Sequence, residues 1–526
     1  MKRKMLSIAT FFPLVFLAFS VFAVQSKRAE DAFRRGQAFE KAQKPDSALA
    51  CFTLAIQADP GFVQAHAAYQ DLAVRKFGRE AEIWDRYERL AEENPQNPAY
   101  QVLYVSLFEN NMKKIEKALD ITEKNPGFSW GFSLLGRAYQ DYSSMDYTDE
   151  AVEAYENAFR LDSTNVETCE RLADLYSRNE DFSKSKRFAL KAMALDPSRT
   201  DLLSDVWLSE YESAANLDKA KASLIKKMDG ILKEHVGDLP TMYAVGDVFR
   251  ELDGDRFRKL QTDMARLDPM GKAAEQQALA NVYTPEKDLR KALNKGKAFL
   301  AQFPGSASST RLFTRILQLY PKVAGIHDNE VDSLAREELK RNPNRFALYS
   351  AWYTYYAEKD SFPAGRVGPV INGWLAVSSR PHKAAPLTAM GRLLIAENRF
   401  QEAMAPLLES QTLRDKYSNP SAENNRWLGE ACEKLGDMDK ALEYYGQSLG
   451  LKDNPAVLEK FRAVYAGRYG SLDGSEKTLR QKMLASSALE DPYPVPDFTL
   501  PAVEGRGISF LSLRGKVVLV AIWSPG

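Results

Sequence analysis

The chain has 526 residues, more than one hydrophobic core of ordinary size accommodates, so several domains or a repeat array are expected. Lysine and arginine together number 71, as do aspartate and glutamate, and this formal net charge of zero argues against nucleic-acid binding, which needs a basic stripe or patch. Hydrophobic residues at 44% and charged residues at 27% are ordinary globular usage, which excludes wholesale disorder.

The N-terminus has the pattern of a secretory signal peptide. Basic residues at positions 2–4 precede the uncharged run 5–24, and Val21 and Ala23 have the spacing that a signal peptidase reads. We therefore expect residues 1–23 to direct export, to the periplasm or out of the cell. If it is not cleaved, an apolar run of about 20 residues would anchor the chain in a membrane, and this is the only membrane contact that the sequence predicts.

Cysteine and histidine do not occur at any spacing that binds a metal or forms a reactive pair. The cysteines fall within helical patterns, where a thiol behaves as a small buried hydrophobe. Paired carboxylates, Ser/His pairs and Gly-rich phosphate loops are also absent at usable spacings in the sequence. We therefore predict no catalytic, cofactor-binding or metal-binding residue. The cysteines are Cys51, Cys169 and Cys432, and the histidines are His66, His235, His327 and His382.

Small and aromatic residues recur along the chain at separations of 12, 4, 3 and 5 positions. A repeat of about 34 residues is typical of stacked helix pairs. Gly or Ala where two helices cross allows close approach, an aromatic ring fills the adjacent groove, and proline ends the second helix. The series are Gly36, Ala48, Phe52, Ala55 and Pro60; Ala173, Ser185, Ala189, Ala192 and Pro197; Gly391, Ala403, Leu407 and Ser410; Gly429, Ala441, Tyr445, Ser448 and Asp453; and, with a first step of 15, Gly136, Ala151, Tyr155, Ala158 and Ser163.

These segments resemble tetratricopeptide repeats (TPRs). The resemblance implies an all-α fold, a TPR-type α-solenoid of antiparallel helix pairs, whose concave face binds a protein or an extended peptide. The residues that stand at the family's signature places are Gly36, Phe39, Ala48, Phe52, Ala55 and Pro60; Leu135, Gly136, Tyr139, Ala151, Tyr155 and Ala158; and Leu428, Gly429, Ala441 and Tyr445.

The central part of the chain keeps the helical period without the signature. Helical runs such as Leu289–Phe303 and Val331–Arg341 each end at a proline-containing step, as in the clearer repeats. We interpret them as divergent helix pairs of the same array. Four aromatic residues between 352 and 356 could form a ligand platform, but rings at this helical spacing more often belong to a core, and we expect them there.

The last 35 residues change character. Prolines at every second position from Pro492 to Pro496 hold the backbone extended, and the apolar run Val517–Trp523 is typical of a strand that is buried on both faces. With the opening Pro496–Leu500 and the Gly515-Lys516 step, this segment resembles the N-terminal part of thioredoxin-like redoxins, a group of thiol–disulfide proteins and peroxiredoxin relatives.

That resemblance implies an incomplete thioredoxin-like α/β fragment. In the family the apolar strand leads to a reactive cysteine at a helix N-terminus, which lowers the thiol pKa. The sequence stops at Gly526, before such a cysteine, so none of its residues takes the nucleophile's role. We expect either a fragment of a longer gene product or a premature stop.

Two functions remain open from the sequence. The first is an exported, non-catalytic TPR scaffold for protein–protein interactions, and the second is a fragment of a periplasmic thiol–disulfide oxidoreductase or peroxiredoxin-like protein whose repeats recruit substrates. The sequence favours the scaffold, with protein or peptide partners and no cofactor. The expected division is a signal peptide at 1–23, TPRs at 28–200, divergent helical repeats at 201–380, TPRs at 381–460, a helical linker at 461–491 and the redoxin-like fragment at 492–526.

Overall fold

The protein is described by a computed structural model that covers residues 27–142, 146–304, 306, 308–322, 328–359, 362–417, 419–487, 499–500 and 508–509. The predicted signal peptide at 1–23 lies outside the described residues, as does most of the redoxin-like segment at 492–526. Across the described ranges, no helix is long and apolar enough to cross a membrane.

The described part of the chain is almost entirely α-helical, and most consecutive helices pack against one another. Odd-numbered and even-numbered helices are the first and second members of successive pairs. The helices are α1 (27–41), α2 (Pro45–Ala58), α3 (Val63–Phe77), α4 (Glu80–Glu93), α5 (Pro98–Val105), α6 (Asn111–Lys124), α7 (Ser129–Asp141), α8 (Thr148–Leu161), α9 (Val166–Arg178), α10 (Phe182–Leu195), α11 (Leu203–Glu212), α12 (Leu217–Glu234), α13 (Leu239–Leu252), α14 (Gly254–Leu267), α15 (Lys272–Tyr283), α16 (Leu289–Gln302), α17 (Ser309–Leu319), α18 (Asp328–Arg341), α19 (Phe346–Ala357), α20 (Ala364–Val377), α21 (Ala384–Ala396), α22 (Phe400–Lys416), α23 (Ala422–Lys434), α24 (Met438–Leu451), α25 (Pro455–Tyr469) and α26 (Ser475–Ser487).

Short polar caps explain where many of these helices begin. Asn or Asp side chains accept a hydrogen bond from a backbone N–H of the first turn, which satisfies a donor that has no partner inside the helix. Where the chain leaves a second helix, the predicted Asp-Pro turn is held by its aspartate: Asp59 Oδ1 accepts from the Gly61 N–H (2.9 Å), and Asp196 Oδ1 accepts from the Ser198 N–H (2.9 Å). The capping residues of this kind are Asn97, Asn110, Asn165, Asp181, Asn216, Asp238, Asp253, Asp288, Asp437 and Asn454.

The repeat spacing works as the sequence predicted. A Cβ atom on Gly136 of α7 would lie 2.7 Å from the Tyr155 ring of α8, so only glycine allows this ring to fill the crossing. Tyr155 is 2% exposed, and Ala151 and Ala158, which lie on the same helix face, are also buried. The prediction of TPR-type helix pairs is therefore confirmed at the level of packing.

The described residues form two compact units, divided between Pro386 and Leu387. In the first unit, buried clusters follow one another along the array, each shared by neighbouring pairs: one spans α2–α5, the next α5–α8, then α8–α11 and α11–α15. The second unit has clusters across α21–α23 and α23–α25. Its strands β1 (Thr499–Leu500) and β2 (Ile508–Ser509) pair antiparallel, with Thr499 opposite Ser509.

Within the first unit, residues that are about 270 positions apart in the chain also contact each other. One side of this contact is formed by α3, α4 and the α5–α6 connection. The other side is formed by the α18–α19 connection and the turn before α21. We call this set of contacts the clasp. Its bonds run from Asn344 Nδ2 to the Phe77 carbonyl (3.2 Å), from Arg345 Nη2 to the Arg75 carbonyl (3.1 Å), from Arg380 Nη1 to Glu88 Oε2 (3.3 Å), and from His382 Nε2 to Glu109 Oε1 (3.0 Å).

Candidate functional site: a groove on the first helices

A groove of about 280 Å³ crosses four first helices, α3, α5, α7 and α9. The second helices of these pairs do not contribute to its lining. The groove is therefore formed where successive first helices stack side by side. Its apolar lining is Val63, Ala67, Val74, Val102, Leu103, Leu107, Trp130 and Leu134, and its polar lining is Gln70, Asp71, Ser106, Ser133, Arg137 and Glu167.

Polar side chains on the groove floor hold neighbouring first helices in register. Gln70 Nε2 on α3 donates to the Leu103 carbonyl of α5 (3.1 Å). Ser133 on α7 shares a hydrogen bond with Thr168 on α9 (3.2 Å). Because these bonds link one pair to the next, the groove walls are positioned before any partner arrives, which lowers the entropic cost of binding.

Arg137 is the cation of the groove lining. Its guanidinium is bonded to the Glu167 carboxylate on the next first helix. Burial acts to lower the pKa of Arg137, but the Glu167 carboxylate acts in the opposite direction and the pKa lies above its usual value. The Nε of Arg137 is buried and has no hydrogen-bond acceptor among the described residues.

Three carboxylates outside the groove lining lie on α9, the last groove helix, and on the next two first helices. Asp174 on α9 accepts a hydrogen bond from Gln140 Nε2 (3.0 Å), and Asp205 and Asp247 occupy α11 and α13. We call Asp174, Asp205 and Asp247 the carboxylate row. Burial, and then repulsion by Asp174, Asp201 and Asp247, raise the pKa of Asp205 to about 6.

The aromatic residues at 352–356 belong to the core, as predicted. Trp352, Tyr353, Tyr355 and Tyr356 are all buried. Trp352 Nε1 and the Tyr356 hydroxyl both donate to Asp332 Oδ1, at 3.1 and 2.6 Å. A cleft of about 240 Å³ lies beside them on α17 and α19, but of these rings only Tyr355 reaches its lining. These rings therefore do not form a ligand platform.

The cysteines are free and buried, as the sequence predicted. Burial raises the pKa of the Cys169 thiol to about 11, which disfavours the reactive thiolate, and it also raises the pKa of Cys432. No group of three or more metal-ligating side chains comes together in the described ranges. Of the histidines, His66 is buried on α3, His235 is exposed at the end of α12, His382 belongs to the clasp, and His327 lies outside the described residues.

Sequence reasoning missed the groove, although it carries a signal. Arg137 and Asp174 each come directly after the small residue at which the paired helices cross, and Asp71 occupies the matching place on α3. Because the small residue faces the second helix, its neighbour is turned towards the open side of the array. Asp205 gives no such signal, since its environment depends on residues from three helices.

Comparisons with known proteins identify the class of repeat. Two segments, residues 166–199 and 428–459, match models of the tetratricopeptide repeat. The chain is therefore an α-helical repeat protein that contains TPRs. No curated protein matches the sequence.

Several solved structures are similar over about a third of the chain. A thermophilic TPR protein from Thermus thermophilus is 16% identical, with 34% of this chain and 98% of that chain covered and a TM-score of 0.27. YrrB, described as a TPR protein with an unusual peptide-binding site, is 15% identical over 33% of this chain and 88% of its own, with a TM-score of 0.21. MamA is 14% identical over 39% and 95%, with a TM-score of 0.20.

Proposed function

We propose that this protein is a binding scaffold whose groove on α3, α5, α7 and α9 takes an extended segment of a partner protein. TPR proteins in general mediate protein–protein interactions. The observation that carries the proposal is the groove itself: an apolar wall that includes Leu107 and Trp130 faces solvent beside polar groups that are already fixed in place. An extended peptide would bury the apolar wall and leave its own backbone free to bond to the polar groups.

The test is a substitution that places a charge in the groove. Peptides are first selected from a displayed random library on the full chain, and their affinities are measured by fluorescence anisotropy. Leu107→Glu should weaken a selected peptide by tenfold or more, about 1.4 kcal/mol, because the new carboxylate is desolvated when the peptide binds. Leu119→Glu is the matched control, since Leu119 lies on α6, outside the groove, and is 45% exposed.

Both variants must keep the thermal unfolding midpoint of the parent within a few degrees for the comparison to hold. If a folded Leu107→Glu protein binds the selected peptides as tightly as the parent, the groove is not the binding site. A library that yields no binder at all contradicts the scaffold function itself.

We also propose that the protein acts outside the cytoplasm. The support is the basic start at residues 2–4, the apolar run 5–24 and the cleavage spacing at Val21 and Ala23. Fusing residues 1–40 to an alkaline phosphatase reporter, which is active only after export, should give activity. Replacing the basic residues at 2–4 with glutamate should abolish it, and equal activity without residues 1–23 would contradict export.

A second candidate is a redox protein of the thioredoxin-like class. It rests on the redoxin-like motifs at 496–523, and the antiparallel pairing of Thr499–Leu500 with Ile508–Ser509 is compatible with the extended opening of such a domain. On this proposal, the protein purified from its host should exceed 59.2 kDa and reduce insulin disulfides. A purified protein larger than 59.2 kDa that shows no thiol activity would exclude the redox function.

A further inference from the structure

The groove and the carboxylate row lie on one continuous surface of the first helices. Glu167, in the groove lining, and Asp174, in the row, are seven residues apart on α9 and so lie on the same helix face. Seven residues of helix rise about 10 Å, a distance that about three residues of extended peptide span. A segment bound in the groove that continues along α9 therefore reaches the row.

The carboxylates around this surface are neutralised unequally. Arg178 pairs with Asp174 (2.9 Å), Arg250 with Asp247 (2.6 Å), and Arg199 with Asp201 (2.7 Å). Asp174, Asp201 and Asp247 each therefore have an arginine as ion-pair partner, and Arg199 also pairs with Glu170.

Asp205 lacks such a partner. In the part of the chain that the structure describes, it makes no ion pair and no side-chain hydrogen bond, although it is half-buried. Asp174, Asp201 and Asp247 act on it as like charges, and Arg199 is the cation that partly compensates them. A buried or half-buried carboxylate among carboxylates favours the arrival of a cation.

The groove lining does not offer the opposite charge. Its cation, Arg137, is already bonded to Glu167, and Arg171 lies 3.8 Å from the same carboxylate. At the other end of the groove, Arg75 is paired with both Glu40 and Asp71. An acidic partner would therefore have to displace existing ion pairs, whereas a basic partner meets a carboxylate that has no ion-pair partner among the described residues.

We propose that the groove selects a partner segment in which an apolar side chain is followed or preceded by a lysine or arginine, far enough along the extended chain to reach Asp205. The apolar side chain lies against Leu107 and Trp130, and the cation pairs with Asp205 beside Asp174. This rests on the scaffold function proposed above and adds the chemical class of the partner to it.

The experiment uses the full chain and peptides selected from the displayed random library. The selected peptides should be enriched in Lys or Arg at a fixed spacing from an apolar residue. In one such peptide, synthesised with its basic residue or with glutamine, the exchange should weaken binding to the parent by about tenfold. In Asp205→Asn, which removes the charge and keeps the shape, the two peptides should bind within about twofold of each other.

Asp255→Asn is the matched control, because Asp255 is 90% exposed on the second helix α14. It should retain the tenfold difference between the two peptides. A pH series adds a separate readout. Binding of the basic peptide to the parent should weaken as the pH falls from about 7.5 to about 5, since Asp205 then becomes protonated, and this pH dependence should be smaller in Asp205→Asn.

The outcomes separate this inference from the scaffold function. Peptides that bind in a Leu107-dependent manner without a basic residue, or with enrichment in Asp or Glu, overturn the inference and leave the scaffold function standing. A tenfold difference that persists in Asp205→Asn also overturns it. If no peptide binds, the scaffold function fails and the inference fails with it.

Discussion

At the scale of single residues, glycine opposite an aromatic ring determines how closely two helices approach. Tyr445 of α24 is fully buried, and its hydroxyl donates to Glu433 Oε2 at 2.6 Å. A Cβ atom on Gly429 of α23 would lie 2.6 Å from Tyr445 Cδ1 and 2.7 Å from Cε1. The ring cannot move away without losing its hydrogen bond and its close contacts in the core, so a methyl group at this place must separate the helices.

We therefore expect Gly429→Ala to destabilise the second unit by about 1–2 kcal/mol, the cost of overpacking less the gain in helix propensity. Gly467→Ala on α25 is the control, because a Cβ atom there meets nothing within 4 Å. This second change should stabilise by up to about 1 kcal/mol. Urea unfolding of both variants measures the two effects, and equal effects would contradict the role of the Tyr445 ring.

A buried histidine gives the first unit a dependence on pH. The Nε2–H of His66 donates to the Pro60 carbonyl (3.0 Å), and its Nδ1 accepts from the Tyr87 hydroxyl (2.8 Å), which is the bonding of a neutral ring. Burial lowers the pKa of His66 to about 4. In the unfolded chain the ring takes up a proton near pH 6.5, so the unfolded state binds more protons between pH 6.5 and 4.

The free energy of unfolding should consequently fall as the pH drops through this window, by at most about 2–3 kcal/mol from this residue. His66→Gln should be less stable at neutral pH but should lose less stability on acidification. His235→Gln is the comparison, since His235 is exposed at the end of α12 and the parent's pH dependence should persist there. The urea midpoints of the parent and of both variants, measured at several pH values, test this prediction. An equal decrease of the midpoint with falling pH in the parent and in His66→Gln would contradict this account of His66.

At the scale of the helices, the sequence predicted most of the elements because their cause is local. The run Leu289–Phe303 is observed as α16, Leu289–Gln302, and Val331–Arg341 lies within α18, Asp328–Arg341. The crossing residues Gly136 and Tyr155 were predicted from spacing alone, since both partners lie in one repeat. The divergent pairs between 201 and 380 lack this signature, yet they keep apolar periodicity and proline stops, and these were enough to indicate helices.

The clasp and the environment of Asp205 could not be predicted in the same way. Arg380 and Glu88 are 292 positions apart, and they meet only because many small rotations between successive pairs add up over the array. A sequence pattern within one repeat does not determine the sum of these rotations. The raised pKa of Asp205 likewise depends on carboxylates contributed by α9 and α13 as well as by its own neighbourhood.

The clasp itself is open to a direct test at its most buried point. The Glu88 side chain is 2% exposed and the Arg380 side chain is 54% exposed, so Arg380→Ala removes the cation from a carboxylate that remains buried. We expect hydrogen exchange to rise by about tenfold in residues 344–346 and 75–79, which the clasp joins. Arg258→Ala, at an arginine that is 71% exposed on α14, should leave exchange at these sites unchanged. Unchanged exchange in Arg380→Ala would show that this ion pair does not hold the clasp.

At the scale of the whole molecule, the buried clusters show how stability is distributed. Each cluster is shared by adjacent helix pairs, as in the succession from α5–α8 to α8–α11. A substitution that destabilises one pair therefore also destabilises its neighbours, and this effect decreases with distance along the array. Each unit therefore has its own free energy of unfolding, and exchange measured segment by segment adds the distribution of stability within each unit.

This distribution predicts a reciprocal result for two equivalent changes. Gly136→Ala inserts a methyl group 2.7 Å from the Tyr155 ring and should raise hydrogen exchange in α6–α9, while α22–α25 keep their protection. Gly429→Ala should do the opposite, because its ring partner Tyr445 belongs to a cluster of the second unit. Mass spectrometry of peptic peptides resolves both regions in one experiment. If either change lowers protection equally in both regions, unfolding is global rather than local, and nearest-neighbour coupling between helix pairs is the wrong description of this chain.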